Sequence, residues 1–385
     1  MRMKQFFTYI LAAALLIAIP VESMAYRVAP GVVVTKVSSR ELRRLQRLRR
    51  ASASSSRSSH RSSSRSSVRS SRSSSSMGVQ RTDPSTDLSV RSNILLLGET
   101  TPVLGAVDFF AAQEPIDIDT VRVRFSNDPS SIQQVRAYAE DDGRLLGTSF
   151  RSGTGEYEIA VPAGTLVLPH RKETGIYVRA LLKPADSGAE GGQIVQIERI
   201  EMDGDGLWSD SEYTVASTET FLQSETSPAA ITGFTRGSAL ASSAFVGGPS
   251  VTVWDYVVSG RTTDADFEPA LTSLSFRVAK SSNVTLSNAR LTVPDSGAES
   301  DCTVATGVIT CANIAEGVGS VDGTRRIRLV ADVEYSGSGG DPFLQATLQE
   351  GGTPSSAGDI VWTDGTTTYE WLPIDAPVAR GILYR

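Results

Sequence analysis

The chain has 385 residues, 40% of them hydrophobic and 21% charged, enough apolar material for more than one buried core, which excludes a wholly disordered protein. Its formal net charge of −6 hides two opposed parts: Met1–Ser76 carries 15 Lys/Arg against Glu22 and Glu41, a net of +13, whereas Met77–Arg385 carries 22 Lys/Arg against 41 acids, a net of −19. Two His and two Cys leave few groups for metal-hydrolase, Cys-His or Ser-His chemistry, so the expectation is a protein that is not an enzyme.

Residues 1–25 read as a secretory signal peptide. Arg2 and Lys4 precede an apolar run from Phe6 to Ile19, Pro20 breaks it, and Ser23-Met24-Ala25 supplies small residues for cleavage. The run of about 14 residues falls short of the about 20 that a spanning helix needs, the alternative being a retained anchor. No transmembrane helix is expected in the mature chain, and the destination is secreted, at the cell surface or beyond it. Residues 26–50 form a short basic segment with a helix predicted over 39–50: Ser38 or Ser39 can cap it, Glu41 suits its first turn, and Leu42, Leu45 and Leu48 share one side. Residues 51–88 hold almost nothing to bury, with 17 Ser and 5 Arg between Ala51 and Ser76, and read as a disordered Ser/Arg-rich linker. Its arginines suit a tether to an anionic polymer or glycan of the cell envelope, and a plain soluble spacer is the competing reading. Nucleic acid is not the expected partner, because the arm is exported, lacks interleaved aromatics and precedes an acidic body.

From about residue 89 the pattern becomes short alternating segments rich in Val, Ile, Thr, Tyr and Phe, separated by Gly, Pro, Asn, Asp and Ser, which is strand periodicity. Val121-Arg-Val123-Arg-Phe125 pairs with Leu274-Ser-Phe276-Arg-Val278, Ile176–Leu182 with Ile327–Val333, and Leu207-Trp208-Ser209-Asp210 with Val361-Trp362-Thr363-Asp364. The three offsets, 153, 151 and 154 residues, agree on an internal repeat. The fold expected is all-β: two tandem antiparallel β-sandwiches of immunoglobulin-like type, residues 89–227 and 228–385, joined by a short linker near Ser227-Pro228-Ala229-Ala230. Arg124 and Arg277 fall at matching solvent-side positions, where pairing with Asp or Glu across strands is expected. Trp208 and Trp362 are read as matching core anchors.

Cys302–Cys311 reads as a hairpin turning at Thr306-Gly307. Ala305 then faces Val308, and Cys302 faces Cys311 at a non-hydrogen-bonded position, close enough for a disulfide. This hairpin, Asn313-Ile-Ala-Glu-Gly317, the strand Arg326–Glu334 and the tail Gly358–Gly365 with Trp371-Leu-Pro373 resemble immunoglobulin-like repeat domains of bacterial surface and secreted proteins. The resemblance covers about 120 residues of the second copy. It implies a cell-surface building block or adhesin and no catalytic residue.

The segment Glu201–Glu212 matches the spacing of a twelve-residue calcium loop. Glu201, Asp203, Asp205 and Ser209 fall at the oxygen positions, Leu207 supplies a carbonyl, Gly206 permits the turn and Glu212 closes the site. Position 1 is Glu rather than Asp, and Gln193–Ile200 reads as a strand, so the expectation is a calcium loop between strands. The competing reading is a solvated acidic turn. His170 reads as a loop residue, Asp141/Asp142 as turn residues, and Asn283-Val-Thr285 as a glycosylation sequon. The function expected is a non-enzymatic surface protein, structural or adhesive. A calcium-supported carbohydrate- or cell-wall-binding module is the alternative and needs an exposed aromatic row near Glu201–Glu212; a secreted hydrolase is third and needs two carboxylates converging in a cleft.

Overall fold

The computed structural model describes residues 90–385 apart from 218 and 339, together with two short strands near the N-terminus. The signal peptide, the helix expected over 39–50 and the Ser/Arg-rich linker lie outside the described residues. In chain order the strands of the first half are β1 (Tyr26–Arg27), β2 (Val32–Lys36), β3 (Ile94–Leu96), β4 (Gly105–Phe110), β5 (Ile116–Phe125), β6 (Ile132–Ala139), β7 (Leu145–Phe150), β8 (Glu156–Ala160), β9 (Leu166–Leu168), β10 (Glu173–Leu182), β11 (Ile194–Val195), β12 (Ile197–Gly206), β13 (Glu212–Ser217) and β14 (Ser224–Ser227). One sheet has the order β1-β2-β13-β12-β5-β8 with β9 also on β5. A second has the order β4-β10-β6-β7, and a small third sheet is β11-β14-β3. The alternation legible in the sequence is the burial pattern: Val121, Val123 and Phe125 are buried while Arg122 and Arg124 face outward.

The second half continues with β15 (Ala229–Arg236), β16 (Ser242–Ser243), β17 (Gly248–Thr262), β18 (Ala270–Lys280), β19 (Val284–Thr292), β20 (Glu299–Asp301), β21 (Thr303–Ala305), β22 (Val308–Ala312), β23 (Thr324–Tyr335), β24 (Leu344–Leu348), β25 (Ile360–Thr363), β26 (Thr368–Tyr369), β27 (Ala379–Arg380) and β28 (Leu383–Tyr384). Its sheets have the orders β15-β17-β23-β19-β20 and β16-β28-β24-β18-β22-β21, the latter carrying β25, β26 and β27 as side pairings. The protein is all-β, and its antiparallel sheets enclose two hydrophobic clusters, one drawn from Leu95 to Phe221 and the other from Ala230 to Tyr384. Among the described residues no helix is long and apolar enough to cross a membrane.

Two of the three segment pairs matched in sequence occupy similar places. The strand β10 lies between β4 and β6 as β23 lies between β17 and β19, and β5 and β18 are each paired on both sides in the facing sheet. Arg124 pairs with Glu198 at 3.1 Å, and Arg277 pairs with Glu350. The cysteine hairpin has the register read from its sequence: Ala305 faces Val308, Thr303 faces Thr310, and Cys302 and Cys311 are bonded with their Cα atoms 4.1 Å apart.

The join between the halves is not a free linker. Only Pro228 separates β14 from β15, and the seam is closed by side chains from both halves. Asp364 is fully buried; its Oδ1 accepts the N–H groups of Thr366 and Thr367 at 2.8 and 2.7 Å, and its Oδ2 lies 2.9 Å from the Ser227 hydroxyl and 2.7 Å from that of Tyr369. The Tyr369 hydroxyl also reaches the Thr226 carbonyl at 2.9 Å, and the Trp371 indole donates to Glu225 at 2.7 Å.

Candidate functional site

The acidic segment Glu201–Glu212 begins as a strand. Glu201, Asp203 and Asp205 are alternate residues of β12 and share its solvent face, while Ile200, Met202 and Gly204 point inward. Alternate residues on a strand are spaced by about 6.6 Å, so these carboxylates form a row. The convergence expected from a turn at Gly206 does not occur. Each acid has its own surroundings: Glu201 pairs with Arg199, Asp203 pairs with Arg122 at 2.5 Å and accepts the Thr214 hydroxyl at 2.7 Å, and Asp205 stands directly between Asp117 of β5 and Glu212 of β13. Burial raises the Asp205 carboxyl above the ordinary range, and Asp119, Glu212, Asp117 and Asp210 push it further in the same direction. Asp119, beside it, is also raised by burial, against a hydrogen bond from Thr120.

The turn after Gly206 is organised by a residue from elsewhere in the chain. Glu114, 5% exposed, accepts the N–H groups of Trp208 and Ser209 at 2.6 and 2.8 Å, the Ser209 hydroxyl, and the Tyr213 hydroxyl at 2.7 Å. Burial alone would raise its carboxyl; these hydrogen bonds outweigh it and hold the pKa below the usual value. A Cβ on residue 206 would stand 2.5 Å from the Glu114 carboxyl, so glycine at this position makes room for that group. Ser209 is thereby committed to Glu114, and the Leu207 N–H to the Pro115 carbonyl at 2.8 Å.

Of the positions read as calcium ligands, Glu201, Asp203 and Asp205 thus form a row along β12, and the Ser209 hydroxyl is held by Glu114. Among the described residues no group of three or more His, Cys, Asp or Glu is arranged to hold a metal ion. The equivalence of the two tryptophans also needs correction. Trp362 is fully buried in β25, but Trp208 is 63% exposed at the tip of the Glu114-held turn. In the ladders Trp362 faces Leu271, and the residue facing the matching Ile118 is Gly204, so the repeat slips by four residues at this point.

Trp208 packs against His170 with ring centroids 5.2 Å apart, which gives the loop residue His170 an aromatic neighbour absent from its sequence surroundings. No second tryptophan is exposed beside Trp208: Trp254, Trp362 and Trp371 are buried. The sequence matches no protein-family model and no curated protein.

The remaining candidates have structural uses. Asp142 accepts the Arg144 N–H at 2.9 Å in the turn between β6 and β7, with Gly143 at a φ of +68°. Asn283 of the sequon is buried, and its amide donates to the Gly340 carbonyl at 3.2 Å. The open hollow at the seam between the halves, about 710 Å³, is bordered by Glu99, Asp186, Asp264 and Asp266. One carboxyl pair escaped sequence reading. Asp108 and Glu140 meet over Gly175, where a Cβ would stand 1.7 Å from Glu140 Oε2 and 2.8 Å from Asp108 Oδ1; burial raises the Glu140 carboxyl, and Asp108 beside it pushes it the same way. They lie on the β4-β10-β6 sheet, away from that hollow, and register alone brings them together.

Proposed function

We propose that this is a non-enzymatic, exported cell-surface protein, structural or adhesive, built from two immunoglobulin-like sandwiches and carrying a basic Ser/Arg segment that contacts anionic polymer or glycan of the envelope. The observation that supports the structural part is the seam: a buried carboxylate with hydrogen bonds from both halves keeps two β bodies in a fixed relation, as a layer component or spacer requires. The envelope contact rests on charge: after removal of residues 1–25, residues 26–76 carry 13 Lys/Arg against Glu41, a net of +12, beside a −19 remainder. The test is co-sedimentation with isolated envelopes, using the exported chain and a version lacking residues 39–76, at low and high salt. Retention of the full chain at low salt, lost on deletion or at high salt, is expected. Equal retention by both versions, insensitive to salt, overturns the tether.

A further inference from the structure

The strand β2 lies N-terminal to the Ser/Arg-rich segment, yet it belongs to the first half. It runs antiparallel to β13 over five residue pairs, from Val32 opposite Ser217 to Lys36 opposite Tyr213, and β1 adds to its other side. Without β2, β13 would be the bare edge of its sheet, a row of unpaired N–H and C=O groups that accepts any available strand. The sequence Val32-Val-Val-Thr-Lys36 suits that place, being β-branched over four of five residues.

We infer that the outer edge of β13 is an acceptor site for the chain's own N-terminal strand, so that residues 37–89 form a closed basic loop held at both ends on the first half instead of a stalk. Two further observations favour the chain's own segment as occupant. The 53 residues 37–89 span roughly 40 Å as a flexible coil, enough to return to the same body, and a tether of that length supplies an effective concentration of about millimolar. The chain also leaves β2 opposite Tyr213, one position from Glu212, and Arg40, Arg43 and Arg44 follow within eight residues of Lys36. At that corner Asp205 and Glu212 face each other with no ion-pair partner among the described residues, and the sequence that follows β2 carries the opposite charge. The inference holds whether or not the loop binds an envelope polymer.

The test is a cut in the loop. A specific protease site is inserted between Ser62 and Ser63 of the exported chain, and the cleaved protein is run on gel filtration with light scattering in about 1 M NaCl, where charge contacts are screened within about 3 Å. The N-terminal piece is expected to stay with the body in a 1:1 complex and to separate only in denaturant. Adjacent strand N–H groups point to opposite edges, so the Val34→Pro/Thr35→Pro double variant removes at least one bond to β13 whichever way β2 faces. That variant is expected to release the piece after cutting, at least tenfold more readily, while its far-UV circular dichroism before cutting stays that of the wild type. Separation of the wild-type piece in salt, equal retention of the proline variant, or a 2:2 complex showing exchange between copies would each overturn the inference.

Discussion

At the scale of single residues, the acids of β12 show how position on a strand decides the sign of a charge's contribution. Asp203 has Arg122 at 2.5 Å and the Thr214 hydroxyl, whereas Asp205, two residues on, is flanked by Asp117 and Glu212. With its folded-state pKa raised, Asp205 contributes stability that is fully present below the unfolded value of about 3.9 and is lost as pH rises through the folded one. Asp205→Asn is therefore expected to raise the melting temperature at pH 7 by about 1–3 °C, the relief of one or two opposed like charges at roughly 0.2–1 kcal/mol each, and to have little effect near pH 3.5. Asp203→Asn is expected to lower it at pH 7. Thermal melts of the two variants at both pH values check this; a loss from Asp205→Asn at pH 7 contradicts it. The sequence marked both residues as acids of one motif. What separates them, an arginine 81 positions earlier and two cross-strand carboxylates, is a matter of register.

At the scale of elements, what was legible was local. The cysteine hairpin could be counted outward from a two-residue turn, and β5 and β18 could be read from alternation, because in both cases the deciding neighbours lie within a few residues. The turn between β12 and β13 is not legible in the local sequence for the opposite reason: its organiser, Glu114, lies 94 residues from Trp208 and precedes another strand. Acids, glycine and serine at calcium-loop spacing are also what a turn wrapped around an inward carboxylate requires, and the spacing alone does not distinguish them. Glu114→Ala removes both carboxylate oxygens, so the Trp208 and Ser209 N–H groups and the Ser209 and Tyr213 hydroxyls lose their shared acceptor. The expected cost is about 2–3 kcal/mol of first-half stability, together with a change in Trp208 emission and quenching, because Trp208 is the exposed tryptophan while Trp254, Trp362 and Trp371 are buried. An unchanged melt and unchanged quenching would remove Glu114 from this role.

At the scale of the whole molecule, the two clusters are separate cores whose independence is limited by the seam. An open linker at Ser227–Ala230 would let the halves unfold separately; the structure instead places Asp364 of the second half against Ser227 and the turn leading to Tyr369, with Tyr369 reaching back to Thr226. Burial disfavours the Asp364 carboxylate, but the Thr367 N–H, the Tyr369 hydroxyl and the Thr366 N–H and hydroxyl outweigh it and lower the pKa. Such a group stabilises above its unfolded value of about 3.9, and that contribution is lost as pH falls through the lowered folded value. The halves are thus expected to melt in one calorimetric transition at pH 7 and to separate into two below about pH 4. Asp364→Ala cuts the bonds to Ser227 and Tyr369, whose hydroxyls keep the Ala229 and Thr226 carbonyls, and leaves the Thr366 and Thr367 N–H groups without their acceptor; it is expected to cost about 2–3 kcal/mol and to produce the two transitions at pH 7. If the variant melts in a single transition with the wild-type midpoint, the carboxylate does not couple the halves, and the fixed relation would rest on the other contacts across the seam, Tyr369 to Thr226, Trp371 to Glu225 and Arg261 to Glu99.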